Sequence, residues 1–146
     1  MARRSRAREI ALQVLYQDDL NPGQSPSVGE EFAKARISDE SLLAFARSLI
    51  SGVRRNREEL DELLGKTADN WSLGRMAATD RNVMRLGAFE ILYTDTPDAV
   101  AINEAVELAK RFGNKQSALF VNGILDRFIE GHGVGDQAEP ADKPSG

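Results

Sequence analysis

An all-α fold is predicted by three observations. Apolar residues recur at helical spacing in almost every segment, no window shows the alternation or β-branched enrichment of a strand, and Gly and Pro fall where short loops would join helices. About seven helices in a compact bundle are expected, with no internal repeat. A length of 146 residues, 41% hydrophobic and 29% charged, suits one globular domain over residues 1–130.

The first helix is predicted from about Ser5 to Asp19, with Ala11, Leu12, Val14 and Leu15 on one side and Arg6, Glu9, Gln13 and Gln17 on the other. Residues 21–26, Asn-Pro-Gly-Gln-Ser-Pro, end it, and a short helix covers Ser27 to Ala35. Ser38 is the expected N-cap of a helix whose buried stripe is Leu42, Phe45, Leu49 and Val53. Asn56 with Glu59 resembles a capping box, opening a further helix with Leu60, Leu63 and Leu64 that stops at Gly65. After a loop around Trp71 to Gly74, Thr79 caps a helix with Val83, Leu86, Phe89, Ile91 and Leu92. It is apolar nearly all round and therefore central. Ala101, Ala105, Leu108 and Phe112 line the next helix, which ends at Gly113. Ser117 caps a last one carrying Phe120, Val121, Ile124, Leu125 and Phe128. Residues 131–146 have little to bury and are expected to form a disordered tail.

Composition narrows the function. The absence of cysteine removes disulfides, thiolate metal sites and thiol nucleophiles. No run approaches a membrane span, and the N-terminus lacks the apolar stretch of a signal peptide, so a cytoplasmic protein is expected. The lone His132 between two glycines offers neither a triad nor a metal site, and no cofactor or catalysis is expected. Gly65-Lys66-Thr67 lacks the preceding strand and first glycine of a phosphate-binding loop, and Asn70-Trp71-Ser72 is a glycosylation acceptor only in a secreted chain. Glu104 and Glu107 are expected to face Lys110 and Arg111 one turn on rather than to form an acid/base pair.

Charge is the informative feature. The net charge is −4, yet Arg3, Arg4, Arg6 and Arg8 crowd the first eight residues of an otherwise acidic chain. A basic arm on an acidic body confines contact with a polyanion to one place. Arginine suits RNA because its planar fork matches phosphate oxygens and its face stacks on unpaired bases. Positive charge at a helix N-terminus opposes the macrodipole, so folding alone does not favour it. As exposed charges, these arginines should add little to stability.

Arg6-Ala7-Arg8-Glu9-Ile10-Ala11-Leu12-Gln13-Val14-Leu15-Tyr16 resembles the opening helix of the NusB family. Ala101-Ile102-Asn103-Glu104-Ala105-Val106-Glu107-Leu108-Ala109-Lys110 and Phe120-Val121-Asn122-Gly123-Ile124-Leu125-Asp126 resemble its two C-terminal signatures. Thr79-Asp80-Arg81, Leu86 and Tyr93 agree between them. The resemblance spans about residues 3–130 and implies two packed three-helix bundles and a non-enzymatic role in processive transcription of ribosomal RNA operons. It also implies binding of the boxA element of nascent RNA together with NusE, the small-subunit ribosomal protein, within the transcription elongation complex. The implied RNA surface comprises Arg3, Arg4, Arg6, Arg8 and Gln13 with Phe112, Lys115, Gln116 and Ser117. The implied NusE contacts are Tyr16, Leu20 and Asp80.

Ser5 interrupts an arginine run that is commonly continuous in the family, and Lys115-Gln116 stand where an acidic residue is often found. Asn122 and Gly123 are expected to allow close helix packing around a buried amide, and Phe112 is read as a core residue first and a stacking ring second. Two other functions fit an all-helical chain of this kind. One is an RNA-binding accessory domain like that of certain ribosomal RNA methyltransferases, which would need a following Rossmann-like half. The other is a helical adaptor that binds only protein.

Overall fold

The computed structural model describes residues 3–68 and 73–132, all helix, turn or loop without a strand among them. Six α-helices follow in order, α1 (Arg3–Leu20), α2 (Pro26–Arg36), α3 (Glu40–Thr67), α4 (Ala78–Tyr93), α5 (Asp98–Phe112) and α6 (Lys115–His132), with a single 3-10 turn at Leu73–Arg75. The chain divides into two compact units, Met1–Arg57 and Glu58–Gly146. The count is six, one fewer than expected, because the two helices expected on either side of Asn56 run on as one element with a kink at that residue. Asn56 alone leaves helical geometry (φ −108°, ψ 16°), and its amide donates back to the Gly52 carbonyl at 2.8 Å instead of capping a new helix.

The first unit is a three-helix bundle of α1, α2 and the N-terminal part of α3. Its core combines Ala7, Ile10, Ala33, Ile37 and Ala46 with the half-buried Phe32, Leu42, Leu43 and Phe45. Small residues let the helices approach closely. A Cβ on Gly29 of α2 would lie 2.6 Å from Val14 Cγ1 of α1. Around this core, Arg54 makes a two-pronged contact with Asp18 (2.7 and 2.9 Å), Arg57 reaches Asp19 at 3.2 Å, and Arg47 grips Glu30. Ser25 caps α2 and Pro26 begins it, one residue ahead of the expected start. Asp39, not Ser38, caps α3 by accepting the Leu42 N–H at 3.0 Å.

In the second unit α4, α5 and α6 pack on one another, joined by the rest of α3 through Leu60 and Leu64. Helix α4 is buried from Asn82 to Ile91, as its all-round apolar pattern predicts. Gly87 lies where three helices converge, since a Cβ there would meet Leu125 of α6 at 2.8 Å and Ala105 of α5 at 3.3 Å. The buried Arg85 is satisfied by Asp61 (2.7 and 2.9 Å) and Asn82 (3.1 Å), and the buried Glu90 accepts from the Thr96 hydroxyl at 3.0 Å. Tyr93 donates to Glu59, and that hydrogen bond, with desolvation adding, raises the phenol above its ordinary pKa.

Further boundaries differ in the second unit. Ala77 rather than Thr79 precedes α4, and its side chain makes no cap; the turn before it is closed by Arg81, which donates to the Leu73 and Met76 carbonyls. Gly65 lies inside α3, where Thr67 bonds back to the Leu63 carbonyl and ends the helix two residues later. Gly131 and His132, assigned from the sequence to the tail, are the last residues of α6, with the His132 ring 4.7 Å from that of Phe128. The expected tail from residue 133, and the Asn70-Trp71-Ser72 stretch, lie outside the described residues.

Candidate nucleic-acid interface

The arginine arm is the first two turns of α1. Four-residue spacing places Arg4 and Arg8 on one face, and that face meets α3. The guanidinium carbon of Arg4 lies 4.1 Å from the centre of the Phe45 ring and that of Arg8 5.2 Å from it, so both cations sit over one aromatic ring. Arg8 is only 4% exposed, which corrects the expectation that the whole arm is exposed charge. Its neighbours Ala7 and Ile10 are core, and the helical turn that buries them buries Arg8 as well. Arg4 and Arg6 remain exposed, Arg6 beside Glu9 at 3.3 Å, while the Arg3 side chain lies outside the described ones. Gln13 is half-buried one turn further on and donates to the Glu9 carbonyl at 3.3 Å.

In the second unit, the junction between α5 and α6 is open. Arg111, Phe112, Gly113, Asn114, Lys115 and Gln116 are six consecutive exposed residues. Phe112 is 36% exposed, so it is not the core residue expected first; α5 turns its buried stripe, Ala101, Ala105, Leu108 and Ala109, away from it. Arg111 lies over its ring at 5.7 Å. The backbone here is held tightly: Asn114 accepts the Ser117 N–H at 2.8 Å, and the Gly113 N–H reaches the Ala109 carbonyl at 2.8 Å. Asn114 is therefore the cap of α6, which moves Ser117 from the expected N-cap into the first turn, where it is buried. The start of α6 carries Lys115 and no acidic residue in its first turn, an electropositive helix N-terminus.

The expected protein contacts are split between the units. Tyr16 is half-buried on α1, and Leu20, its last residue, is 51% exposed. Asp80 lies in the first turn of α4 in the second unit, where a carboxylate suits the helix dipole, and its Oδ1 is buried without a hydrogen-bond partner among the described residues. The structure adds two residues that the pattern hid. Phe45 reads as one member of a core stripe, although the four-residue spacing of Arg4 and Arg8 is a signal that they share a neighbour. Leu119, one turn into α6, is 69% exposed, and the only hint is its place outside the apolar stripe of that helix. Asn122 and Gly123 are exposed too, with open space beside Gly123, so neither supports the close packing expected of them.

No helix among the described residues is long and apolar enough to cross a membrane, and no group of three or more metal-ligating side chains occurs among them.

The model of the NusB family matches residues 5–130. The transcription antitermination protein NusB of Myxococcus xanthus is 46% identical over 135 residues, covering 87% of this chain and 94% of its own. That of Sorangium cellulosum is 42% identical, covering 94% and 99% respectively. Among solved structures, T. maritima NusB superposes with a TM-score of 0.82 at 34% identity, over 96% of this chain and 99% of its own. A structure of the antitermination factors NusB and NusE in complex with double-stranded RNA includes a chain that matches with a TM-score of 0.83 at 26% identity, over 90% of this chain and 99% of its own.

Proposed function

The chain belongs to the NusB family of transcription antitermination proteins, and from that premise we propose that it binds the boxA element of nascent ribosomal RNA transcripts together with NusE. It thereby supports processive transcription of ribosomal RNA operons, in the cytoplasm and without catalysis, by holding RNA and NusE within the elongation complex. The observation that carries this reading is the pairing of exposed cations with a ring or a helix end on an acidic chain: Arg4 and Arg6 on α1, and Phe112 at the end of α5 with Lys115 and Gln116 at the start of α6. Phosphates meet the cations and the α6 N-terminus, while unpaired bases meet Phe112 and the arginine faces. Arg3, Gln13 and Ser117 complete the proposed RNA contacts, with Arg8 acting from beneath as a buried charge. Tyr16, Leu20 and Asp80 are the proposed NusE contacts, and residues 1–130 are proposed to act as one RNA-binding domain with the tail outside it.

The test is filter binding of the full chain to a boxA-containing RNA and to its scrambled counterpart, each with and without NusE. Preference for boxA, strengthened by NusE, is the expected result. Log affinity should fall with log salt by roughly 0.7 per phosphate engaged on a single strand. Equal and weak retention of both RNAs in the presence of NusE would leave only the protein-adaptor reading standing.

A further inference from the structure

We propose that Phe45 is a positioning residue for RNA, its ring holding the Arg4 guanidinium as a platform on which one unpaired nucleobase stacks. This inference rests on the RNA-binding reading above. The Phe45 ring is half-buried against the apolar core of the first unit, so packing sets its orientation. Arg8, buried, and Arg4, exposed, both come to it from α1, at 5.2 and 4.1 Å. Bringing two like charges one helical turn apart onto one ring is unfavourable in isolation, and the ring quadrupole offsets it. The result is an exposed planar cation held over a packed ring.

A phosphate needs only the N–H edge of a guanidinium and would be served equally by Arg6, which has Glu9 and, among the described residues, no ring beside it. A base needs a face. The Arg4 guanidinium lies over the Phe45 ring and its residue remains open to solvent, which suits stacking of a second π-system on it. The same unit contains a useful contrast in Arg36, 3.6 Å over Phe32. That contact joins residues four apart on α2, and Arg36 also donates to the Phe32 carbonyl at 3.3 Å, so it closes the end of its own helix. The Arg4 contact instead ties the start of α1 to a different helix.

The experiment is an abasic scan of a single-stranded boxA-containing RNA against the full chain, wild type and variants, with salt dependence measured for each. In the wild type, loss of one particular base should lower affinity about tenfold. In Phe45→Leu, and in Arg4→Lys, which keeps the charge but not the plane, that penalty should shrink to within about twofold while the salt slope stays unchanged. Phe45→Met provides a second filling of the half-buried position should the leucine variant fold poorly, and Arg4→Lys perturbs only an exposed side chain. A purely structural role for Phe45 would lower affinity for every RNA alike and leave the abasic penalty in place. Persistence of the penalty in the folded Phe45 and Arg4 variants overturns the platform while leaving RNA binding intact. Absence of RNA binding by the wild type overturns both.

Discussion

The opening of α1 and the junction of α5 with α6 offer similar residue types to solvent but hold them in opposite ways. On α1 the side chains are anchored: Arg8 is buried, Arg4 and Arg8 share the Phe45 ring, and Arg6 lies beside Glu9. At the junction the backbone is anchored, by Asn114 and by a Gly113 whose added Cβ would lie 2.8 Å from the Ala109 carbonyl, while Phe112, Lys115 and Gln116 project into solvent. Charge density in a sequence thus measures attraction, not availability. A densely basic arm can be partly structural, and a sparsely charged turn can be wholly available.

The sharpest way to break this contrast is Arg8→Ala. Removing a buried guanidinium and its ring contact should destabilise the chain by about 1–3 kcal/mol, whereas Lys115→Ala should stay within about 0.5 kcal/mol of wild type. Thermal melts of the two variants check it, and equal midpoints would mean that the arm is not anchored.

Gln116→Asp probes the junction side. The residue is in the first turn of α6, so a carboxylate should leave stability level or raise it by about 0.3–1 kcal/mol through the dipole. The same charge repels a phosphate. At about 6 Å and an effective dielectric of about 40 the repulsion is roughly 1.4 kcal/mol, trimmed to a few-fold loss of affinity at physiological salt. Melting and boxA titration at low and physiological salt should therefore move in opposite directions. Unchanged affinity at low salt would remove the junction from the RNA path.

The smallest effect calibrates what an exposed ion pair contributes in the first unit. Glu30 is held below the ordinary glutamate pKa, chiefly by its hydrogen bond to Arg47 and further by the positive charge of Arg47 and Lys34, against a raising effect of burial. A depressed carboxylate contributes stability above its unfolded-state pKa and loses it as pH falls through the folded-state value. Glu30→Gln should accordingly lower the melting midpoint slightly at neutral pH, and the difference should vanish in acid. A difference that persists in acid would point to packing rather than charge.

The fold was largely legible because helical periodicity survives without tertiary information: the apolar circuit of α4 and the stripe of α6 both predict the faces that are buried. Caps were read less well. Ser38, Thr79 and Ser117 are good capping residues by type, but Asp39, Ala77 and Asn114 hold the cap positions, one to three residues away, since the path of the preceding turn decides where a helix begins and whether any side chain reaches a free N–H. The site was legible by composition and not by exposure. Arg8 and Phe112 exchanged their expected environments, because burial depends on the angle at which a helix meets its neighbour, and one sequence does not state that angle.

Gly123 has a bearing on robustness rather than on recognition. It stands inside α6 with nothing within 4 Å of the place a side chain would take, unlike Gly29 and Gly87, which their neighbours require. A glycine in a helix interior forgoes roughly 0.5–1 kcal/mol relative to alanine, mostly through the wider ensemble open to the unfolded chain. No close approach within the fold compensates for that loss. The chain is therefore below the thermal ceiling its own architecture permits, and this turn of α6 is a place where heat tolerance can be raised by selection without any rearrangement of the interior.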